Sequence, residues 1–232
     1  MKSGGEMKPD GGMKSAHEMN SAHETKPAHE TKPAGDLKPA GEMKPIREMK
    51  IVLIRHLALS IAPGICYGRL DVAADPETAD QVARLAANPV LLGATHVWTS
   101  PARRCRALAD AIALALPARL IVDDRLKELD FGAWEGKSWD TIPRAALDRW
   151  AAAPLAFAPP GGESGAALVQ RVRNFCADLM RDQQNCIVVS HGGPLKGLIA
   201  LLQGKDADLL TPAPSMGSVT VVTCKERPPH ST

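Results

Sequence analysis

No apolar run in this chain is long enough to cross a bilayer. The longest, such as Ile51–Ile54 and Ala111–Leu116, fall far short of the roughly 20 residues a transmembrane helix needs. No apolar stretch follows the N-terminal charges, which argues against a secretory signal. An excess of one charge is also missing: 28 Lys and Arg face 26 Asp and Glu, for a formal net charge of +2. That gives no clustered basic surface for nucleic acid or an anionic membrane. The five cysteines, Cys66, Cys105, Cys176, Cys186 and Cys224, are scattered and form no CxxC. Neither a disulfide framework nor a zinc knuckle fits that pattern, and reduced thiols in a cytoplasmic protein are expected. A Gly-x-x-x-x-Gly-Lys loop and a Gly-x-Ser-x-Gly elbow are both lacking, which sets aside a P-loop nucleotidase and a serine hydrolase.

Residues 1–48 read as a disordered low-complexity tail. Units such as Ala22-His-Glu-Thr-Lys-Pro27 and Ala28-His-Glu-Thr-Lys-Pro33 repeat every six residues. A proline in each unit denies a continuous helix, and apolar side chains are too few to offset the entropy of ordering. His17, His23 and His29 share the spacing of six, and a solvated tract is the expected setting for them. Residues 49–226 read as one folded domain of ordinary size, and 227–232 as a short flexible C-terminus.

Within the domain, strand and helix patterns alternate. Lys50–Arg55 is a β-branched apolar run suited to a buried parallel strand. Asp75-Pro76-Glu77 predicts an N-cap, an N1 proline and an acidic first turn, with Ala79, Val82, Ala83 and Ala86 as the buried stripe. Thr95–Trp98, Leu120–Val122 and Cys186–Val189 read as strands. Ser100-Pro101 is expected to cap a helix that stops before Pro117. Ser164 is expected to cap a long helix buried through Leu168, Val169, Val172, Phe175 and Leu179. Pro194 opens a further helix, and Ser218–Cys224 reads as a last, antiparallel strand. The expected fold is α/β: a three-layer sandwich with a mostly parallel central sheet and helices on both faces.

Such sheets bind ligands at the carboxyl ends of their strands. Arg55-His56 ends the first strand, Thr99-Ser-Pro-Ala-Arg-Arg104 follows the second, and Ser190-His-Gly-Gly193 follows the strand at Cys186–Val189. Gly192 and Gly193 let backbone N–H groups approach a ligand, and a helix N-terminus favours anions. Two arginines, two histidines and a helix start together suit a phosphate dianion. Arg103 and Arg106 flank Arg104, and only position within Ser-Pro-x-x-Arg singles out Arg104. His56, His191 and Cys186 fit no local zinc motif, so no metal is expected. Trp134, Trp139 and Trp150 are expected in the core or a pocket wall.

Five segments resemble, in order, the motifs of the histidine phosphatase superfamily: Leu53-Ile-Arg-His56, Thr99–Arg104, Leu126-Lys-Glu-Leu-Asp-Phe-Gly-Ala-Trp-Glu-Gly136, Gly161-Gly-Glu-Ser164 and Val189-Ser-His-Gly-Gly193. They cover essentially all of residues 50–224. Gly64–Asp71 and Phe131–Gly136 lean toward the α-ribazole phosphatase-like branch, linked with cobalamin biosynthesis. The resemblance implies that His56 is the phosphorylated nucleophile and that Arg55, Arg104 and His191 form the phosphate pocket. It places Glu128 as proton donor. Arg69 and Gly192 are expected as further substrate contacts, and no cofactor is implied. One departure stands out: Leu57-Ala58-Leu59 replaces the glycine, acidic or amide residue and threonine that usually follow the nucleophile. Glu163 and Ser164 are expected to be no more than a helix cap.

The implied substrate is a small phosphomonoester, first of all α-ribazole 5′-phosphate, and the implied assembly a monomer or homodimer. Broad action on sugar or nucleotide phosphates and a phosphoglycerate mutase-type transfer use the same site. A module that recognises phosphate without turnover is the alternative of another class.

Overall fold

The computed structural model describes residues 48–225. The repeat tail with its three histidines, and the C-terminal 227–232 segment, lie outside the described residues.

A five-stranded sheet forms the middle layer, in the order β3-β2-β4-β1-β5. Its strands are β1 (Glu48–Arg55), β2 (His96–Thr99), β3 (Arg119–Val122), β4 (Cys186–Ser190) and β5 (Val219–Lys225). β1 runs parallel to β4, β4 to β2, and β2 to β3. β5 alone is antiparallel, pairing with β1 from Glu48↔Lys225 to Ile54↔Val219. The fold is the α/β sandwich expected.

β1 is buried on both faces, and its residues divide between two cores as the pleat requires. Ile51 and Leu53 face α4 (Gly165–Asp182) and α5 (Gly192–Leu202), packing with Leu168, Val172, Phe175 and Leu198. Val52 and Ile54 face α1 (Ala79–Ala86) and α2 (Arg103–Ala115), packing with Val97, Leu108 and Ile112. Each such side chain contributes about 1.5–3 kcal/mol when fully buried. A third apolar cluster joins Cys66, Trp134 and Ile142 with Phe131, Trp139, Trp150 and Phe157, beside α3 (Arg144–Ala152). Its aromatic rings pack against one another, with Trp134 buried in the core and Trp139 and Trp150 partly buried against it.

Ser164 caps α4 as predicted, its Oγ accepting from Ala167 N at 3.2 Å. Two other caps differ from expectation. Asp75 accepts from Glu77 N at 3.0 Å, but it caps a 3-10 turn, Pro76–Thr78, that precedes α1. The turn shifts the phase of the helix: Ala79 and Ala83 are exposed, while Val82, Leu85 and Ala86 pack inward. Ser100 does not cap α2 by side-chain bonding to its first turn. Asp71 takes that place, accepting from Arg103 N at 2.8 Å. Among the described residues, no helix is long and apolar enough to cross a membrane.

Candidate active site

The carboxyl ends of β1, β2 and β4 bring the sequence candidates together. His56 follows β1 and is fully buried. Its Nδ1 lies 2.8 Å from Leu57 O. A carbonyl only accepts, so Nδ1 carries the proton and Nε2 keeps its lone pair. Nε2 is buried and has no hydrogen-bond partner among the described residues. Burial holds the imidazole down to about 4, and the charges of Arg104 and Arg55 add to this, against the Leu57 bond that raises it. The ring is therefore neutral at ordinary pH and presents a bare nitrogen, which is the state a nucleophilic imidazole needs.

The Leu57-Ala58-Leu59 departure has a structural explanation. Leu57 and Leu59 are buried, and only the Leu57 carbonyl serves the site. Gly217 N, in turn, donates to Arg55 O and His56 O at 3.1 and 3.2 Å. A side chain at 217 would collide with Leu57, so the glycine lets β5 approach the nucleophile loop.

His191 follows β4, fully buried, with its ring 5.2 Å from that of His56. Arg104 Nε donates to its Nδ1 at 3.2 Å, and its Nε2 lies 2.8 Å from Ser100 Oγ. The remaining ring proton therefore sits on Nε2 and is shared with Ser100. Burial, then the charge of Arg104, pushes this imidazole well below the usual histidine range. Cys105 Sγ stands 3.5 Å from Nε2. Burial pushes that thiol up, so it stays protonated at neutral pH.

Arg104 is only 1% exposed, whereas Arg103 is exposed and Arg106 pairs with Asp110 on the surface. The site thus takes one arginine of the three. Besides His191, Arg104 donates to Leu70 O at 2.6 Å and to Gly68 O at 2.7 Å, with its guanidinium 5.4 Å from the Tyr67 ring. Arg55 Nη1 donates to Pro214 O at 2.8 Å, while its Nε is buried without a partner among the described residues. Gly192 begins α5 close to Arg55. A Cβ there would stand 2.9 Å from that of Ala213 and 3.5 Å from the Arg55 guanidinium carbon.

Glu128 accepts from Leu129 N at 2.9 Å and from Gly193 N at 3.1 Å through Oε1. With Arg104 it lines a cavity of about 280 Å³, whose other walls are Arg69, Asp71, Pro101, Ala102 and Lys127. Arg69 reaches this cavity, but its guanidinium is bound to Asp130 at 3.2 Å and Glu163 at 3.0 Å. Sequence reasoning passed over Ser100, Tyr67 and the Leu57 carbonyl as site groups. It also passed over Arg171, which joins Glu163 beneath the site. Among the described residues, no three His, Cys, Asp or Glu side chains gather to hold a metal.

Comparison with known proteins identifies the family and the fold. The profile of the histidine phosphatase superfamily (branch 1) matches residues 51–231. A protein of Hydrogenobacter thermophilus named "Putative phosphoserine phosphatase 2" is 33% identical over 159 residues, 66% of this chain and 78% of its own. The crystal structure of the alpha-ribazole phosphatase from Shigella flexneri superposes with a TM-score of 0.67 at 26% identity, covering 75% of this chain and 89% of that one. A mycobacterial glucosyl-3-phosphoglycerate phosphatase shares the fold, with a TM-score of 0.67 at 24% identity over 76% of this chain and 91% of its own. The chain belongs to the histidine phosphatase superfamily (branch 1), and it is a phosphatase.

Proposed function

We propose that the chain hydrolyses a small phosphomonoester in the cytoplasm through a phosphohistidine on His56. The observation that carries this reading is the His56 ring: Nδ1 tied to Leu57 O and Nε2 buried with no partner among the described residues. In the first step the Nε2 lone pair attacks phosphorus in line and the bond to the leaving oxygen breaks. Arg55 and Arg104 face the equatorial oxygens together with the Gly192 N–H at the start of α5. A guanidinium carries five N–H groups, and the contacts of Arg104 to His191, Leu70 and Gly68 leave two for phosphate. His191 turns its Nε2–H from Ser100 toward the phosphoryl group. Glu128, in its protonated form, gives its proton to the leaving oxygen. In the second step water attacks phosphorus, the N–P bond breaks, and the Glu128 carboxylate takes the water proton. His56 returns to its starting state and inorganic phosphate leaves.

All five cysteines, each within the described residues, are free thiols, which supports a reducing compartment. Arg69 enters this scheme as a weaker substrate contact than its sequence position implies, because two carboxylates already hold its fork.

α-Ribazole 5′-phosphate remains a substrate to test, on the motifs and on the Shigella flexneri neighbour. A specific observation favours phosphoserine or another compact, charged ester. Five of the seven residues lining the cavity beside Arg104 and Glu128 are charged, whereas an apolar bicyclic base calls for apolar or aromatic walls, of which Tyr67 beside His56 supplies one. Turnover of a phosphomonoester panel, with chelator present and His56→Ala beside it, tests both levels. Activity that survives chelator and vanishes in the variant supports the phosphohistidine route, and the ranking of phosphoserine against α-ribazole 5′-phosphate names the class. Undiminished turnover by His56→Ala would overturn the mechanism.

A further inference from the structure

Glu128 sits in an irregular stretch between two 3-10 turns, Asp124–Leu126 and Gly132–Trp134. No strand ladder holds its backbone there. Its carbonyl nevertheless accepts from two guanidiniums, Arg171 Nη2 at 3.0 Å and Arg69 Nε at 3.2 Å. Those arginines come from α4 and from the loop after β1, and one carboxylate joins them. Glu163 Oε1 takes Arg171 Nε at 2.8 Å, while its Oε2 takes Arg171 Nη2 at 2.9 Å and Arg69 Nη2 at 3.0 Å. The Glu163–Arg171 pair is bidentate and mostly buried, with side-chain exposures of 12% and 15%. A fork–fork pair of this kind fixes direction as well as distance. Asp130 closes the arrangement through Arg69 Nη1 at 3.2 Å.

We propose that Glu163 is a positioning residue for leaving-group protonation: through Arg171 and Arg69 it fixes the backbone of Glu128, and so the carboxyl that faces the substrate. The inference rests on the acid role given to Glu128 above. Burial alone would raise the Glu163 carboxyl, but its hydrogen bond to Arg171 and the charges of Arg171 and Arg69 bring it below the usual glutamate value. It therefore stays ionised, and the arginine bridge stays closed, throughout the neutral range. Without the bridge the two guanidiniums lose their common anchor and the 128 carbonyl its fixed donors. A displacement of about 1 Å at a proton-transferring group is enough to cost roughly a hundredfold in rate.

Leaving-group chemistry separates this role from simple stabilisation. An alkyl phosphate such as phosphoserine needs its leaving oxygen protonated, and p-nitrophenyl phosphate does not. Single-turnover and steady-state rates on both esters are compared for the full chain, Glu128→Gln and Glu163→Gln, with thermal melts confirming folding. The expected result is that Glu163→Gln loses about 10- to 100-fold in the single-turnover rate of leaving-group release from the alkyl ester, with little change in KM and only a few-fold loss in that rate on p-nitrophenyl phosphate, since the later attack by water is common to both esters. Glu128→Gln should show the same signature more strongly. Equal losses on both esters in Glu163→Gln, beside a selective loss in Glu128→Gln, would overturn the inference and leave the acid assignment standing. Equal losses in Glu128→Gln would instead remove the acid assignment itself. Should Glu163→Gln not fold, Glu163→Asp carries the comparison, since it keeps the charge and shortens the reach to Arg171 and Arg69. It should show a smaller loss with the same ester selectivity, and a non-selective loss there counts equally against the inference.

Discussion

Arg104 Nε donates a hydrogen bond of 3.2 Å to Nδ1 of His191, and that single contact decides the tautomer of the second histidine. A guanidinium only donates, so Nδ1 must accept and the ring proton is placed on Nε2, facing Ser100 at 2.8 Å. The same arginine ties the 67–71 loop to the site through the carbonyls of Gly68 and Leu70.

Arg104→Lys tests how much the planar fork matters. An ammonium on a flexible stem cannot reach His191 Nδ1 and both carbonyls in the same geometry. One lost charged hydrogen bond costs about 1.5–3 kcal/mol, so denaturant unfolding should show a loss of at least about 2 kcal/mol. Phosphatase activity should fall by about 100-fold or more, because the equatorial phosphoryl oxygens lose a rigid pair of donors. A variant with wild-type stability and activity would show that charge alone suffices at this position.

The pH response of His56 follows from its buried state. Its folded pKa is held to about 4, against about 6.5 for a free imidazole. The unfolded chain therefore binds this proton more readily. The resulting stability is fully present above about pH 6.5, declines as pH falls, and is lost once pH passes below the folded value. The full difference is about 3 kcal/mol at about 1.4 kcal/mol per unit. His56→Gln should flatten the stability profile between pH 6.5 and 4 relative to the parent chain. Proton-detected titration of the ring should find the neutral Nδ1–H tautomer across the neutral range. An imidazole titrating near 6.5 would remove both expectations.

Much of this site is legible in the chain because strand ends are. The run Ile51–Ile54 before Arg55-His56, and the run ahead of His191-Gly192-Gly193, place those groups at the carboxyl edge of a buried sheet by pattern alone. Long-range polar pairing is what periodicity cannot show. Ser100 reads as a local cap, yet its hydroxyl meets a ring 91 residues away, leaving the cap to Asp71. Arg69 reads as a substrate contact, yet its charge is taken up by Glu163, 94 residues on. The buried stripe of α1 was displaced for a local reason: the tight Pro76–Thr78 turn changes the phase at which the helix begins.

Gly193→Ala tests the placement of Glu128 from the opposite side. The glycine is the second residue of α5, and its N–H donates to the Glu128 carboxylate at 3.1 Å. A Cβ at this position would collide with Oε1 of that carboxylate and stand 3.1 Å from Leu168 Cδ1. The end of a glutamate side chain moves at little cost, whereas backbone does not, so the fold should survive and the carboxyl should be displaced. Glycine-to-alanine in a helix also gains up to about 1 kcal/mol of backbone propensity, which offsets the strain against Leu168. The melting temperature should therefore change by only a few degrees. Single-turnover release of the alcohol from an alkyl phosphate should slow by about 10- to 100-fold, while release from p-nitrophenyl phosphate, whose leaving group needs no proton, should slow far less. Unchanged rates on both esters would mean that Glu128 works without the Gly193 contact. Equal losses on both would point instead to the phosphate-binding start of α5 as the element disturbed.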